Sequence, residues 1–310
     1  MRILVTGASG LLGLNLSLSV IKTHQVIGVD RSRLVGVPFE LLNLDLLEEN
    51  SIEKMFSAST PDCLIHCAAL ADVDACEKDP VTSKLLNASL PEKLALACAN
   101  HSVPMLHIST DAVFDGTQDS PYQEEDTPNP LGVYAATKLE AERSVLRVFP
   151  KAIVARVNFY GWSLSGSRSL AEFFVNNLQA GNQINGFTDL FFCPMFVGDL
   201  AQTLIKMLSK GLSGLYHVVG SEPLSKFDFG IAIARQFGYD SSLIQPVSVA
   251  QSNLVARRSP NLNLSTHKLS TALGEVIPGF STGLSQFYTQ FQLGYPQQLA
   301  GYQHISPAAG

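Results

Sequence analysis

The sequence predicts an α/β fold: a doubly wound parallel sheet with helices on both faces, followed by a smaller C-terminal α/β part. Three observations predict it. Short apolar runs without polar alternation recur in the first half: RILVT (2–6), QVIGVD (25–30), DCLIHCAA (62–69), VPMLHIST (103–110) and KAIVARV (151–157). Strands covered on both faces read this way. Helical patterns separate the runs, the order that joins parallel strands. Glycines at 7, 10 and 13 follow the first run directly.

Taken in order, RILVT is a buried strand and LLGLNLSLSVIK (11–22) a helix. QVIGVD is the second strand, and NLDL ends the third at Asp45. SIEKMFSA (51–58) is a helix with Ser51 as its expected N-cap. DCLIHCAA is the next strand. Residues 82–100 are helical, with Pro91 expected to break the helix or open a new first turn. VPMLHIST is a strand. Residues 117–131, rich in Pro, Asp, Glu and Gln, form a surface loop. GVYAATKLEAERSVLRV (132–148) is a strong helix and KAIVARV the strand after it.

The second half is less regular. LAEFFVNNLQAG (170–181), VGDLAQTLIKMLSKG (197–211) and LSKFDFGIAIARQFG (224–238) are helices that end at glycine. GLYHVVG (214–220) is a strand. The expected division is a dinucleotide-binding domain over 1–157 and a mainly substrate-binding part over 158–293, from which about 182–211 returns to the first domain. The tail, 294–310, carries Pro, Gly and Gln and is expected to be poorly ordered.

Composition narrows the function. The 310 residues are 46% hydrophobic and 15% charged, with a net charge of -6, and length is ample for a core. No Lys/Arg block stands out, so nucleic acid is not an expected partner. No apolar run approaches the roughly 20 residues that span a bilayer, and the N-terminal run is too short for a signal peptide. A cytoplasmic location is expected, with no membrane partner. The five cysteines are odd in number and form no CxxC pair. They read as buried thiols rather than disulfides or metal ligands, and no metal is expected.

A phosphate site needs close backbone approach and unpaired N–H groups. Glycines after a strand supply the first and a helix start the second. Gly7, Gly10 and Gly13 hold that position. An acidic residue about 20 positions later can take ribose hydroxyls, and Asp30 ends the second strand at that distance. Its carboxylate favours NAD, whereas the guanidinium of Arg31 can pair with a 2′-phosphate and favour NADP. The cofactor is therefore NAD or NADP. Asp45 can accept from an adenine amine, or can simply begin the next turn.

Tyr134 and Lys138 stand four apart on one helix and share a face. Thr110 ends a strand at the carboxyl edge of the sheet, where open α/β folds bind ligands. A free tyrosine titrates near 10, and a neighbouring ammonium is expected to lower that value. Lys138 can do this and hold a nicotinamide ribose. Thr110 can hydrogen-bond a reacting carbonyl, and Tyr134 can deliver a proton as hydride reaches carbon.

At this point the chain resembles the extended short-chain dehydrogenases/reductases. TGASGLLG, HCAA (66–69), Thr110, and Tyr134 with Lys138 stand in that family's order and spacing, and Asn87 matches a recurrent polar position. The likeness implies a Rossmann-type fold. It also implies that Ser9, Leu11, Leu12, Leu46, Cys67, Ala68, Ala69 and Asn87 join Gly7, Gly10, Gly13, Asp30, Arg31, Asp45, Tyr134 and Lys138 around the cofactor. Within the family the chain looks most like the dTDP-4-dehydrorhamnose reductase group, through STDAVFDG (109–116), VDACEKDP (73–80), LYHVVGSEPLSKFDFG (215–230) and RRSPNLNLSTHKL (257–269). That likeness implies a nucleotide-sugar substrate whose 4-keto group is reduced by NAD(P)H. Asp111, Asn158, Arg257 and Arg258 are the substrate candidates; an arginine there suits a diphosphate. A homodimer is compatible with it.

Three departures bear on that likeness. Asn15 stands where the group often has an acidic residue tied to metal-assisted dimer contacts. RVNFYGWS (156–163) differs from the usual segment. Related sugar dehydratases carry Thr-Asp-Glu, whereas this chain has Thr110-Asp111-Ala112, which argues against dehydration. A 4-epimerase with retained NAD, and a non-catalytic subunit like the regulatory subunit of methionine adenosyltransferase, remain as alternatives.

Overall fold

Seven parallel strands make the central sheet: β1 (Arg2–Thr6), β2 (Gln25–Asp30), β3 (Glu40–Asn43), β4 (Cys63–His66), β5 (Met105–Thr110), β6 (Ile153–Val157) and β7 (Gly214–Val218). Their spatial order is β7-β6-β5-β4-β1-β2-β3. The structure is a computed structural model and describes residues 1–251 and 258–305. The order reverses beside β1, between β2 and β4. In open α/β sheets, ligands bind at such a switch point, beyond the carboxyl ends of the strands.

Successive strand residues face opposite sides of the sheet, so each apolar run feeds two cores. Ile3 and Val5 face one core with Leu14, Leu16, Leu200 and Leu204. Leu4 faces the other with Met55, Leu64, Leu94, Val145 and Val154. Helices α1 (Leu11–Val20), α2 (Ser51–Ser59), α3 (Leu90–His101), α4 (Val133–Val148) and α6 (Val197–Ser209) cover these faces, while α5 (Leu170–Gln179) and α8 (Phe280–Gln292) pack on α7 (Lys226–Phe237). Helix α6 packs on α1, and β7 pairs with β6, so the second half of the chain re-enters the sheet. Around α5, α7 and α8 the core is aromatic; Trp162 stacks on Phe287 at 4.0 Å between centroids.

The structure corrects three local expectations and decides a fourth. The third strand stops at Asn43, short of Asp45, because Asp45 Oδ1 accepts from Leu47 N (2.9 Å) and turns the chain. Ser51 is not the N-cap of α2; Asn50 holds that position at φ 58°, and Ser51 Oγ donates to Glu48 O. Pro91 opens a new first turn, one of the two outcomes expected for it. A short helix, Pro80–Lys84, passes through a π turn, Leu85–Ser89, into α3, whose first turn holds Pro91 where a missing N–H costs little. The described part of the tail, up to residue 305, holds regular structure. Tyr295–Ala300 is helical, Leu299 is buried, and Gln303–Ile305 pairs antiparallel with Arg33–Val35.

Asn15 has a structural role in α1. Its Nδ2 donates to Trp162 O (2.8 Å), and its Oδ1 accepts from Tyr295 OH (3.0 Å). All five cysteines are free thiols, and only Cys67 reaches the surface in part. Among the described residues no helix is long and apolar enough to cross a membrane.

Candidate active site

The glycine loop lies at the switch point. Gly7 has φ +68°, and a Cβ there would meet Ala68 N at 2.7 Å. A Cβ on Gly13 would meet Gly7 O at 2.2 Å, so a side chain at either position would push the loop open. Gly10 caps α1 with no side-chain acceptor, and no acidic residue stands in the first turn. The free N–H groups and the positive end of the helix dipole therefore face outward, suited to a phosphate. These features fit a dinucleotide.

Asp30, at the end of β2, braces this loop. Its Oδ2 accepts from Ser9 N (3.0 Å) and Ser9 Oγ (2.8 Å), and its Oδ1 from Ser32 N (3.0 Å). Exposed Arg31 lines the same trough, with Asp45, Leu46, Ala68 and Ala69. Asn87 lies behind the wall rather than on it. It is fully buried in the π turn, where Oδ1 accepts from Leu70 N (2.8 Å) and Nδ2 donates to Leu70 O (3.0 Å). It therefore meets the trough only by fixing the strand-end segment 67–70.

The trough runs into a chamber lined by Leu11, Leu12, Thr110, Asp111, Tyr134, Lys138 and Asn158. Gly10, Cys67, Ala69 and Arg168 line both. Thr110 ends β5; its hydroxyl donates to Asp111 Oδ1 (3.1 Å) and accepts from Ala112 N (3.2 Å). Tyr134 stands in the first turn of α4, and the start of that helix is held by Glu77 Oε1, which accepts from Val133 N (2.7 Å). Lys138 follows one turn later.

The ammonium was expected to lower the tyrosine; the geometry differs. Burial pushes the Tyr134 phenol up to about 12, opposed by its hydrogen bond with Thr110. Lys138 Nζ instead donates to Ile108 O (2.5 Å) and lies 3.4 Å from His107 Nε2. Burial lowers Lys138 to about 8, with Glu142 acting against it.

Thr110, Asp111, Tyr134 and Asn158 also line a second chamber, together with Phe191, Phe192, Lys226, Arg258 and Leu262. Burial raises Asp111 to about 6, against donors from Asn158 and Thr110. Lys226 opens α7; burial lowers it, and Arg258 beside it adds to the shift. Arg258 Nη2 is 3.8 Å from Asp74 Oδ1. Arg257 lies outside the described residues.

Sequence reasoning missed Arg168 and Lys226. Arg168 had a readable signal. Ser169 and Glu172 form a capping box at the start of α5, as the spacing S-x-x-E announces. Buried Glu172 also accepts from Ser163 N and from the N–H groups of Arg168 and Ser169, which fixes the turn that carries Arg168. For Lys226 no spacing signal exists, because the chamber forms from distant segments.

A family model described as "RmlD substrate binding domain" matches residues 1–293. The chain is 31% identical over 295 residues to a probable low-salt glycan biosynthesis reductase of Haloferax volcanii, covering 93% of this chain and 97% of that protein. It is 34% identical over 261 residues to the methionine adenosyltransferase 2 subunit beta of Xenopus tropicalis, covering 80% of this chain and 75% of that one. Among solved structures, the dTDP-4-dehydrorhamnose reductase of Bacillus anthracis in complex with NADP superposes with a TM-score of 0.85 at 25% identity, covering 93% of this chain and 99% of that one. The chain thus belongs to the RmlD substrate-binding-domain family, within the extended short-chain dehydrogenase/reductase class of NAD(P)-dependent oxidoreductases.

Proposed function

We propose that this protein reduces the 4-keto group of a nucleotide sugar with NADH or NADPH, and that Tyr134 supplies the proton. One observation carries the proposal. Thr110, Asp111, Tyr134 and Asn158 form a wall shared by two chambers, one continuous with the glycine trough and one flanked by Lys226 and Arg258. A group held at that wall reaches the proton donor from one side and the cofactor site from the other.

The bound nicotinamide supplies the hydride. The chain's own residues do the rest. Gly7, Gly10 and Gly13 admit the diphosphate, and Lys138 holds the ribose. Thr110, whose hydroxyl otherwise donates to Asp111 Oδ1, turns that donor to the reacting carbonyl oxygen and orients it. Tyr134, neutral because burial holds its titration near 12, is in the right state to give a proton. On the substrate side, Lys226 and Arg258 suit a diphosphate, and the Phe191 and Phe192 rings suit a base or sugar face.

A panel of nucleotide sugars with and without a 4-keto group, each tested for NADH and NADPH oxidation, checks the proposal. Oxidation confined to 4-keto substrates is the expected result. Turnover without net oxidation would identify an epimerase. Cofactor binding without turnover on any sugar would favour a binding subunit, the role suggested by the methionine adenosyltransferase relative.

A further inference from the structure

An ammonium has three N–H donors and no acceptor. In Lys138 one donor goes to Ile108 O (2.5 Å) and a second faces His107 Nε2 (3.4 Å). Lys138 also lines the reaction chamber, so one donor remains for a ligand there. Two fixed anchors on β5 set the direction of that third N–H.

His107 is the unusual anchor. It is fully buried, and its ring stacks on His66 at 5.3 Å. His66 Nδ1 is 2.6 Å from Thr6 Oγ1, on the strand that feeds the glycine loop. Because an ammonium can only donate, His107 Nε2 must be the bare nitrogen, which places the ring proton on Nδ1. His107 Nδ1 and His66 Nε2 have no partner. Buried polar atoms are seldom left so, and each exception calls for a reason. For His107 the tautomer supplies it: Nε2 stays bare to face Lys138, so the proton remains on Nδ1, where no acceptor stands.

Other groups around Lys138 do not serve as this anchor. Tyr134 and Glu142 share its helix, but both Glu142 oxygens are taken by Arg156, and Ser109 also donates to Oε1. Cys67 stands beyond β4 with its thiol pushed up to about 12. His66 lies behind His107, and Asp111 acts on Tyr134.

We propose that His107 is a positioning residue: it accepts from Lys138 Nζ and, with the Ile108 carbonyl, aims the remaining N–H of the ammonium at the nicotinamide ribose. The kinetic consequence rests on the reductase function; the hydrogen bond itself does not.

Two measurements test it. The first is ¹⁵N NMR of histidine-labelled protein without cofactor. The expected result is an Nδ1–H tautomer for His107, with an Nε2 resonance that moves in Lys138→Met. An Nε2–H tautomer, or no movement in Lys138→Met, would overturn the proposal whether or not the protein reduces sugars. The second compares His107→Leu with His107→Gln, whose amide oxygen can replace Nε2. Loss of an acceptor makes the ammonium easier to deprotonate. In His107→Leu the alkaline limb of kcat is expected to move down by about one pH unit, with a raised KM for the cofactor. His107→Gln is expected to keep the wild-type limb. A folded His107→Leu with wild-type limb and KM would sink the idea. If His107→Leu does not fold, a limb in His107→Gln displaced by a full unit would do the same.

Discussion

Asn158 Nδ2 donates to Asp111 Oδ2 across 2.5 Å, joining the end of β5 to the chain just beyond β6. This bond and the Thr110 hydroxyl oppose burial without cancelling it, so Asp111 titrates near 6 rather than at 3.8. A carboxyl raised on folding contributes stability that is fully present below about 3.8 and is lost as pH rises through about 6. Asp111→Asn should flatten the fall in Tm between pH 4 and pH 7. An unchanged pH slope in the variant would contradict the raised value.

On the proposed reading, cofactor choice is set at the end of β2. The Asp30 carboxylate would repel a 2′-phosphate, and it braces Ser9 and Ser32. Arg31 is exposed and lines the trough. Arg31→Ala should raise KM for NADPH roughly tenfold and leave KM for NADH near wild type, as expected for one charge-assisted phosphate contact. Asp30→Ala should weaken both cofactors, because the glycine loop loses its brace. Steady-state kinetics with each cofactor checks both.

Arg168 reaches both the trough and the chamber from a turn fixed by Glu172. With adenosine in the trough and nicotinamide in the chamber, as proposed, its place suits a diphosphate. Arg168→Ala should weaken ADP and NAD(P)H alike, each by roughly tenfold in Kd, and leave adenosine binding unchanged. Calorimetric titration separates these ligands.

Beneath the site, Arg156 and Glu142 form an ion pair at 2.7 Å with both side chains almost fully buried. Breaking it from one side leaves a buried charge without a partner. Glu142→Ala should cost about 3–5 kcal/mol in urea unfolding. Replacing both residues by apolar ones of similar size should recover most of that loss.

Particular residues show what was legible in the sequence. The strand runs and the glycine spacing announced the sheet because strands buried on both faces cannot hide their apolar character. Thr110, Tyr134 and Asp30 were placed by their positions at element ends. What failed was finer. Ser51 is a good cap by type, yet Asn50 takes the left-handed position one residue earlier. The tail reads as polar and irregular, but Tyr295 finds Asn15, a partner 280 residues away that no local pattern encodes. Spacing put Lys138 on the face of Tyr134, but only the fold shows that the amine turns inward to Ile108 and His107. Lys226 belongs to a chamber whose walls come from segments far apart in the chain, and long-range assembly leaves no periodic trace.

The proposed reduction turns on proton delivery by Tyr134. The most direct test follows NAD(P)H loss and alcohol formation together on a 4-keto nucleotide sugar, with wild type and Tyr134→Phe. One cofactor is expected to be oxidised per sugar reduced, and kcat is expected to fall by about 10²–10⁴-fold in Tyr134→Phe with the fold intact. Turnover without cofactor loss, or a Tyr134→Phe variant at the wild-type rate, would contradict it.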